Sequence, residues 1–193
     1  MHHRITVAVL TAALVTAGCG SEELAPPPPP PANPGIQAQG PDTAAIRRAR
    51  EQALADSIAA AEALRARAAE MTRTALTQRI NFDYDQSALT TSAREILRSK
   101  LDGLRCNASV TMRIEGHADE RGSTEYNIVL GNERAQAAVD FLVSFGVAES
   151  RLTTISHGEE RPLMNASSEQ AWSQNRRDEF TITAGGNNIQ PCG

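Results

Sequence analysis

The spacing of hydrophobic and polar positions changes several times along this chain, and each change predicts a different element. In residues 79–85 apolar and polar side chains alternate, which is typical of a half-buried β-strand. The same alternation returns in three later segments, which predicts three further strands, at 109–115, 152–156 and 179–183.

Two segments between these strands have the apolar spacing of helices that pack on a core. The first opens with a capping box at 92–95 and runs to residue 105. The second runs from about 125 to 145 and is stopped by Gly146, because glycine readily adopts the left-handed conformation that ends many helices. The order βαβα followed by two strands predicts an α+β domain with at least one right-handed crossover. Residues 158–178 are interpreted as a polar excursion.

The beginning of the chain has the pattern of an export signal. A short basic start at 1–4 precedes an apolar run at 5–17, which has the length of a signal peptide and is too short to span a membrane. The run ends at Gly18-Cys19, which resembles a bacterial lipobox, in which the cysteine is lipidated. Ordinary secretion with an incidental Cys19 is the alternative. Gly20 stands where related lipoproteins retained at the inner membrane carry aspartate, so outer-membrane delivery is expected.

Two segments separate this signal from the first strand. Residues 20–41 contain an unbroken proline run, Pro26–Pro31, which predicts an extended polyproline II stalk. The alternative is that this proline run is a ligand for an aromatic groove. Residues 42–76 lack proline and glycine and predict a long helix with a narrow apolar stripe. We interpret this helix as a solvated spacer, and a short coiled coil is the alternative.

Composition narrows the class of partner. The chain has 193 residues, a net charge of −4 and a pI near 5.6, so a nucleic-acid partner is not expected, because phosphate neutralisation needs a basic face. If Cys19 is lipidated, Cys106 and Cys192 remain as an even pair in an oxidising compartment. A Cys106–Cys192 disulfide and two free thiols both fit this count.

A dense polar stretch follows the second predicted strand, at residues 115–127 with the sequence EGHADERGSTEYN. His117 and Asp119 hint at a metal site, but no third ligand follows at metal spacing, so neither a metal nor a cofactor is expected. An enzyme with paired carboxylates is another alternative, although no nucleophile motif such as Gly-x-Ser-x-Gly supports it. The carboxylates that would have to converge are Asp83, Asp85 and Glu115.

Several motifs occur in the order and spacing of one known family. They are Ile80-Asn-Phe-Asp-Tyr-Asp85, Glu115-Gly-His-Ala-Asp-Glu-Arg-Gly122, Leu130-Gly-Asn-Glu-Arg-Ala135, Ser156-His-Gly158 and Asn175-Arg-Arg177. On these residues, 78–184 resembles the OmpA-like C-terminal domain family, and the polar loop looks most like that of its peptidoglycan-associated lipoproteins. The resemblance implies an OmpA-like βαβαββ sandwich, with a small mixed sheet and helices on one face, preceded here by the proline-rich linker and the long helix.

The resemblance also implies a ligand. The family binds the peptide stem of peptidoglycan without cleaving it, through the free end of diaminopimelate, which carries an ammonium and a carboxylate on one carbon. By resemblance, Asp119 binds the ammonium, and Arg134 binds the carboxylate with its planar, permanently charged fork. Tyr84 and Asp85 are implied to line the pocket, and Asn127 to order the loop or touch the stem peptide.

Two consecutive arginines match a pair near the last strand of the family. We expect one of Arg176 and Arg177 to pair with a domain carboxylate and the other to lie near the ligand. Without the resemblance, a surface ion pair between Asp119 and Arg134 would be the simpler interpretation.

These observations predict a lipoprotein that faces the periplasm, tethers the outer membrane to peptidoglycan and is not an enzyme. Relatives in the family also bind a TolB-like periplasmic propeller, so a role through protein partners is the alternative, and a peptidoglycan-processing enzyme is less favoured. The predicted organisation is a signal peptide at 1–18, a lipidated, proline-rich linker at 19–41, a spacer helix at 42–76, the binding domain at 77–185 and a tail at 186–193.

Overall fold

The computed structural model describes residues 42–192. The predicted signal peptide (1–18) and linker (19–41), including Cys19, lie outside the described residues. The described part begins with helix α1 (Thr43–Thr77). The elements that follow it are β1 (Ile80–Asn81), α2 (Thr91–Cys106), β2 (Thr111–His117), α3 (Thr124–Ser144), β3 (Leu152–Gly158), α4 (Glu169–Asn175) and β4 (Arg177–Ala184).

The strands form one mixed sheet in the spatial order β1-β4-β2-β3. The parallel neighbours β2 and β3 are connected through α3, whereas β4 lies between β1 and β2 and is antiparallel to both. Parallel neighbours require such a crossover, as the predicted order implied. The predicted α+β class is confirmed. The domain has one helix more than the predicted βαβαββ order, since α4 lies between β3 and β4.

A hydrophobic core lies between the sheet and the helices. Because alternate residues of a strand point to opposite faces, Met112 and Ile114 of β2 share one face, and both are fully buried. Phe180 of β4 is buried in the same cluster. The helices contribute apolar side chains to this cluster, among them Leu97, Leu101, Leu104, Ala135, Ala138 and Leu142.

Two glycines allow α3 to cross β2 with the two backbones in contact. A Cβ atom on Gly116 would overlap the carbonyl oxygen of Gly131, and a Cβ atom on Gly131 would overlap the hydroxyl of Ser156. Neither position accepts a side chain unless the helix moves. The close approach lets Arg134 of α3 and Asp119, in the loop after β2, line one cleft.

The two ends of α1 have different surroundings. Its apolar stripe is largely exposed, at Leu54, Ile58, Leu64 and Met71. At its C-terminal end, Leu76 is fully buried in the core. The Nζ of Lys100 in α2 caps this end by donating to the backbone carbonyl oxygens of Ala75, Leu76 and Gln78. Among residues 42–192, no helix has both the length and the apolar content needed to cross a membrane.

The C-terminal tail is packed against the end of α2. Cys106 and Cys192 form a disulfide with a Cα–Cα distance of 6.2 Å. The side chain of Asn107 accepts a hydrogen bond from the backbone N–H of Gln190 at 2.7 Å and donates one to the backbone carbonyl oxygen of Gln190 at 3.2 Å. Ile189 is buried in the core. The packed unit therefore continues through Cys192.

The strand predicted at 79–85 is much shorter in the structure, where β1 contains only Ile80 and Asn81. The chain turns directly afterwards, and the backbone N–H of Gln86 donates to the carbonyl oxygen of Asp83. Both residues also present their carbonyl oxygens to the guanidinium of Arg134. The strand ends early because a side chain of α3 takes these acceptors.

Two helix starts also differ from the prediction. The capping box expected at 92–95 is wrong, because Thr90 caps α2 by accepting from the backbone N–H of Ala93 at 3.0 Å. The predicted polar excursion contains α4, which begins after Ser168. A serine followed by Glu169 is a helix-start signal that could have revealed it. The predicted stop of α3 is confirmed, because Gly146 has a φ of 92°.

Candidate functional site

A small cleft lies between the loop after β1, the loop after β2 and the first half of α3. Its volume is about 220 Å³, below the roughly 300 Å³ at which pockets for drug-sized ligands begin. This volume suits a single small polar group. Five predicted site residues line it: Tyr84, Asp85, Asp119, Asn127 and Arg134. Other lining residues include Arg121, Gly122, Tyr126 and Leu130.

The carboxylate of Asp119 is buried and held by two arginines. Its Oδ1 accepts from the backbone N–H and the Nε of Arg121, at 3.1 and 2.9 Å. Its Oδ2 accepts from Nη2 of Arg121 at 2.7 Å and from Nη1 of Arg176 at 3.1 Å. Burial raises the pKa of Asp119, but these hydrogen bonds outweigh burial and the pKa lies below its ordinary value. The group is therefore anionic at neutral pH.

Arg134 is fully buried, and its guanidinium donates to three backbone carbonyl oxygens. The donor–acceptor distances are 2.8 Å to Gln86, 2.8 Å to His117 and 3.2 Å to Asp83. Burial lowers the pKa of Arg134 to about 10, so the side chain still carries its positive charge at neutral pH. A guanidinium has five N–H donors, and these three bonds leave capacity for a further acceptor.

A buried acid, Asp178, acts electrostatically on Arg134 and was not expected from the sequence. It pairs with Gly116 across β4 and β2, and neither carboxyl oxygen has a hydrogen-bond partner among the described residues. Burial raises its pKa well above the ordinary value, against the opposing attraction of Arg134. The alternation of β4 could have revealed this acid, because Asp178 shares a strand face with buried Phe180.

Two predicted residues connect the loops to the start of α3. Asp85 has a left-handed φ of 55°, and its carboxylate accepts a hydrogen bond from the hydroxyl of Tyr126. The side chain of Asn127 is buried and donates to the carbonyl oxygens of Asp119 at 3.1 Å and Arg121 at 3.2 Å. Asn127 thus orders the loop that carries the acidic residue.

Arg121 has a central place in the site, although the sequence did not single it out. Its guanidinium lies 3.9 Å from the centre of the Tyr84 ring and 4.1 Å from that of Trp172. Two of its nitrogens contact Asp119, and Nη1 lies 3.6 Å from Glu169. Trp172 and Glu169 belong to α4, which was not predicted, so their proximity to the loop was not foreseen.

The two consecutive arginines serve different parts of the molecule. Arg176 pairs with Asp119 and also donates to Glu169 at 2.6 Å. Arg177 begins β4, and its Nε donates to Glu179 at 2.7 Å. Among the described residues, neither Arg176 nor Arg177 lines the cleft. Both arginines thus pair with a carboxylate, and Arg176 is connected to the cleft through Asp119.

The remaining acidic and histidine candidates do not converge on the cleft. Glu115 accepts hydrogen bonds from Arg113 and Thr181 and pairs with His157. Burial raises its pKa, but these hydrogen bonds outweigh burial and lower the pKa to about 2, which is unsuited to a general acid. Burial lowers the pKa of His117 to about 4. Within residues 42–192, no cluster of three or more His, Cys, Asp or Glu side chains is placed to hold a metal ion.

The cleft therefore presents one anionic and one cationic side chain to the same small volume. Among the described residues the ion pairs of Asp119 are with Arg121 and Arg176, so a direct surface pair between Asp119 and Arg134 is not formed. Such an arrangement is complementary to a group that carries both an ammonium and a carboxylate.

Known proteins are similar to this chain in sequence and in fold. The OmpA family pattern matches residues 81–176. Curated relatives named peptidoglycan-associated lipoprotein include one from Mesorhizobium japonicum, 48% identical over 108 residues, and one from Brucella melitensis, 44% identical over 108 residues. Each match covers 56% of this chain and 64% of the relative, so the chain spans less than two thirds of the length of these relatives.

Solved structures extend the similarity. The peptidoglycan-associated lipoprotein of Burkholderia pseudomallei is 30% identical, with a TM-score of 0.54, over 55% of this chain and 90% of that one. The C-terminal domain of Helicobacter pylori MotB has a TM-score of 0.51 at 18% identity, over 55% and 84% of the two chains, and shares the fold alone. The chain belongs to the OmpA family.

Proposed function

We propose that this protein is an outer-membrane lipoprotein that binds peptidoglycan stem peptides non-covalently and so ties the membrane to the cell wall. The observation that carries the proposal is the shared cleft of Asp119 and Arg134, two opposite charges in one cavity of about 220 Å³. The relatives from Mesorhizobium, Brucella and Burkholderia are named for association with the same polymer.

The ligand group is the free end of diaminopimelate. Its ammonium binds the carboxylate of Asp119, and its carboxylate binds the guanidinium of Arg134 through charge-assisted hydrogen bonds. A stem that carries lysine in place of diaminopimelate lacks this second carboxylate and is expected to bind more weakly. Recognition therefore depends on both charges of one carbon atom.

The rest of the chain supplies the anchor and the reach. Acyl chains on Cys19 hold the protein in the membrane, and the 35 residues of α1 span about 52 Å at ~1.5 Å per residue. Each contact with the wall can be weak, because a membrane-held array meets many stems at once. Mass spectrometry of the mature N-terminus tests the anchor, and an unmodified Cys19 would contradict it.

Sedimentation of the full-length protein with purified sacculi tests wall binding. Asp119→Asn and Arg134→Lys are each expected to reduce the binding constant about tenfold or more, because the first removes the negative charge and the second replaces the planar fork of the guanidinium with a single ammonium. Free meso-diaminopimelate should displace the wild-type protein from sacculi, whereas pentane-1,5-diamine, which has ammonium groups but no carboxylate, should displace far less of it.

Exposed residues of the same types serve as controls. Asp140→Asn and Arg98→Lys change residues outside the cleft and are expected to leave sedimentation unchanged. Thermal unfolding of each variant is measured in parallel, because Arg134 is buried. If Arg134→Lys does not fold, Asp119→Asn decides the result. Wild-type sedimentation of both cleft variants would contradict the site, and release of soluble muropeptides would favour an enzyme instead.

A TolB-like periplasmic propeller is the proposed protein partner, at the end of the domain that carries the cleft. The support is the exposure of two aromatic side chains that line the cleft, Tyr84 and Tyr126, because aromatic residues are enriched at protein interfaces. Titration of the purified propeller into this protein, with and without soluble stem peptide, tests the partner. No heat of binding under either condition would contradict it.

A further inference from the structure

Arg121 already occupies the carboxylate to which the proposed function assigns the ammonium of the ligand. A carboxylate has about four lone-pair sites. Arg121 contacts Asp119 through its backbone N–H, Nε and Nη2, and Arg176 contacts it through Nη1. These four hydrogen bonds use the acceptor capacity of Asp119. An ammonium from a ligand can therefore reach this carboxylate only if one arginine side chain withdraws.

The surroundings of the two arginines show which one can withdraw. The side chain of Arg176 is 6% exposed and also donates to the buried carbonyl oxygen of Phe82. The side chain of Arg121 is 27% exposed. It is held between the rings of Tyr84 and Trp172 rather than inside the core. Arg121 can therefore leave Asp119 by a side-chain rotation that does not disturb the core.

We propose that Arg121 is a specificity-determining residue of this cleft, which holds Asp119 until a ligand supplies both an ammonium and a carboxylate. This inference rests on the proposed function. An ammonium exchanges with the guanidinium at Asp119, and the exchange also removes Arg121 from the two aromatic rings. The displaced guanidinium remains beside the cleft and joins Arg134 in pairing with the ligand carboxylate. That compensation is denied to a ligand without a carboxylate, so simple amines are rejected.

Calorimetric titration of the full-length protein with two probes tests this role. The probes are meso-diaminopimelate, which has both charges, and pentane-1,5-diamine, which has ammonium groups alone. In Arg121→Ala the affinity for the diamine is expected to rise about tenfold or more, because no side chain of residue 121 has to leave Asp119 before an ammonium can bind. The affinity for diaminopimelate should change less. The affinity ratio, defined as the affinity for diaminopimelate divided by that for the diamine, therefore falls.

A second variant separates the specificity role from a structural role. Trp172→Leu removes one of the two rings that hold Arg121 and keeps the charges of the site. It is expected to lower the affinity ratio in the same direction by a smaller factor. Arg161→Ala removes an equal charge from an exposed residue that contacts His157, outside the cleft, and should leave the ratio unchanged.

The possible outcomes separate the two proposals. If wild type binds diaminopimelate and Arg121→Ala leaves the ratio unchanged or raises it, the specificity role is wrong and the proposed function stands. A fall in the ratio for Arg161→Ala equal to that for Arg121→Ala would also overturn the role, because net charge alone would explain both. If neither wild type nor Arg121→Ala binds diaminopimelate, the role fails together with the proposed function.

Discussion

Glu115 illustrates how hydrogen bonds from neighbouring side chains can keep a buried carboxylate ionised. Burial by itself raises the pKa of Glu115, but hydrogen bonds from Arg113, Thr181 and His157 lower it to about 2, from an ordinary value of 4.5. A carboxylate with a lowered pKa in the folded state stabilises the fold above its ordinary pKa. That contribution is lost as the pH falls through the folded value.

Glu115→Gln is therefore expected to change the acid sensitivity of the protein. Between about pH 5 and pH 2 the wild type should lose on the order of 3 kcal/mol of unfolding free energy that the variant does not lose, because only the wild type must protonate this group. Urea unfolding at about pH 7, 4 and 3 measures the difference. Glu133→Gln, an exposed control, should follow the wild type. A wild-type-minus-variant difference that is independent of pH would contradict the prediction.

At the scale of elements, Lys100 fixes the orientation of α1 relative to the domain. The last carbonyl groups of a helix have no partners within the helix. The Nζ of Lys100 donates to three carbonyl groups at or just beyond the end of α1, and it lies 4.1 Å from the centre of the Phe180 ring. Burial lowers the pKa of Lys100 to about 7. A predicted spacer is thus joined to the core through a side chain of another helix.

Lys100→Met should lower the free energy of unfolding by about 2–4 kcal/mol, because buried carbonyl oxygens lose their donor. The substitution should also accelerate hydrogen exchange, and the increase should be larger for the amides in the last turns of α1 than for those in β2. Arg98→Met changes an exposed basic residue of the same helix and should have little effect. Unchanged exchange at the end of α1 would show that the cap does not hold this junction.

The element predictions succeeded where a local pattern controls the structure. α3 lies between a serine cap at Ser123 and Gly146, close to the predicted bounds, because cap, periodicity and stop are all local signals. β1 is shorter than its alternating pattern predicts, because Arg134 takes the carbonyl groups that follow it. This competition arises from a distant part of the chain, so no local pattern contains it.

At the scale of the whole molecule, the disulfide joins the end of α2 to the tail across a sequence separation of 86 residues. A crosslink across so long a segment restricts the unfolded chain considerably. It also holds Ile189 and the neighbouring tail residues on the core. Disulfides of this kind persist in oxidising environments.

Replacement of both Cys106 and Cys192 by serine is expected to lower the free energy of unfolding by about 3–5 kcal/mol. Chemical reduction of the wild type should produce a similar loss, and the same reductant should leave the double variant unchanged. Denaturant unfolding under each condition provides the comparison. Titration of two free thiols in the native, oxidised protein would contradict the pairing.

The sequence by itself determined the α+β class, most of the elements and the polar loop that carries Asp119, because alternation, helical spacing and turn residues act over a few positions. Through family resemblance it also indicated Arg134 as the opposite charge. Only the tertiary structure decided the partner of each charge: Arg121 pairs with Asp119, Lys100 with the carbonyl groups at the end of α1, and Arg177 with Glu179. These pairings depend on distances between packed elements, and those distances arise only when the whole core is assembled.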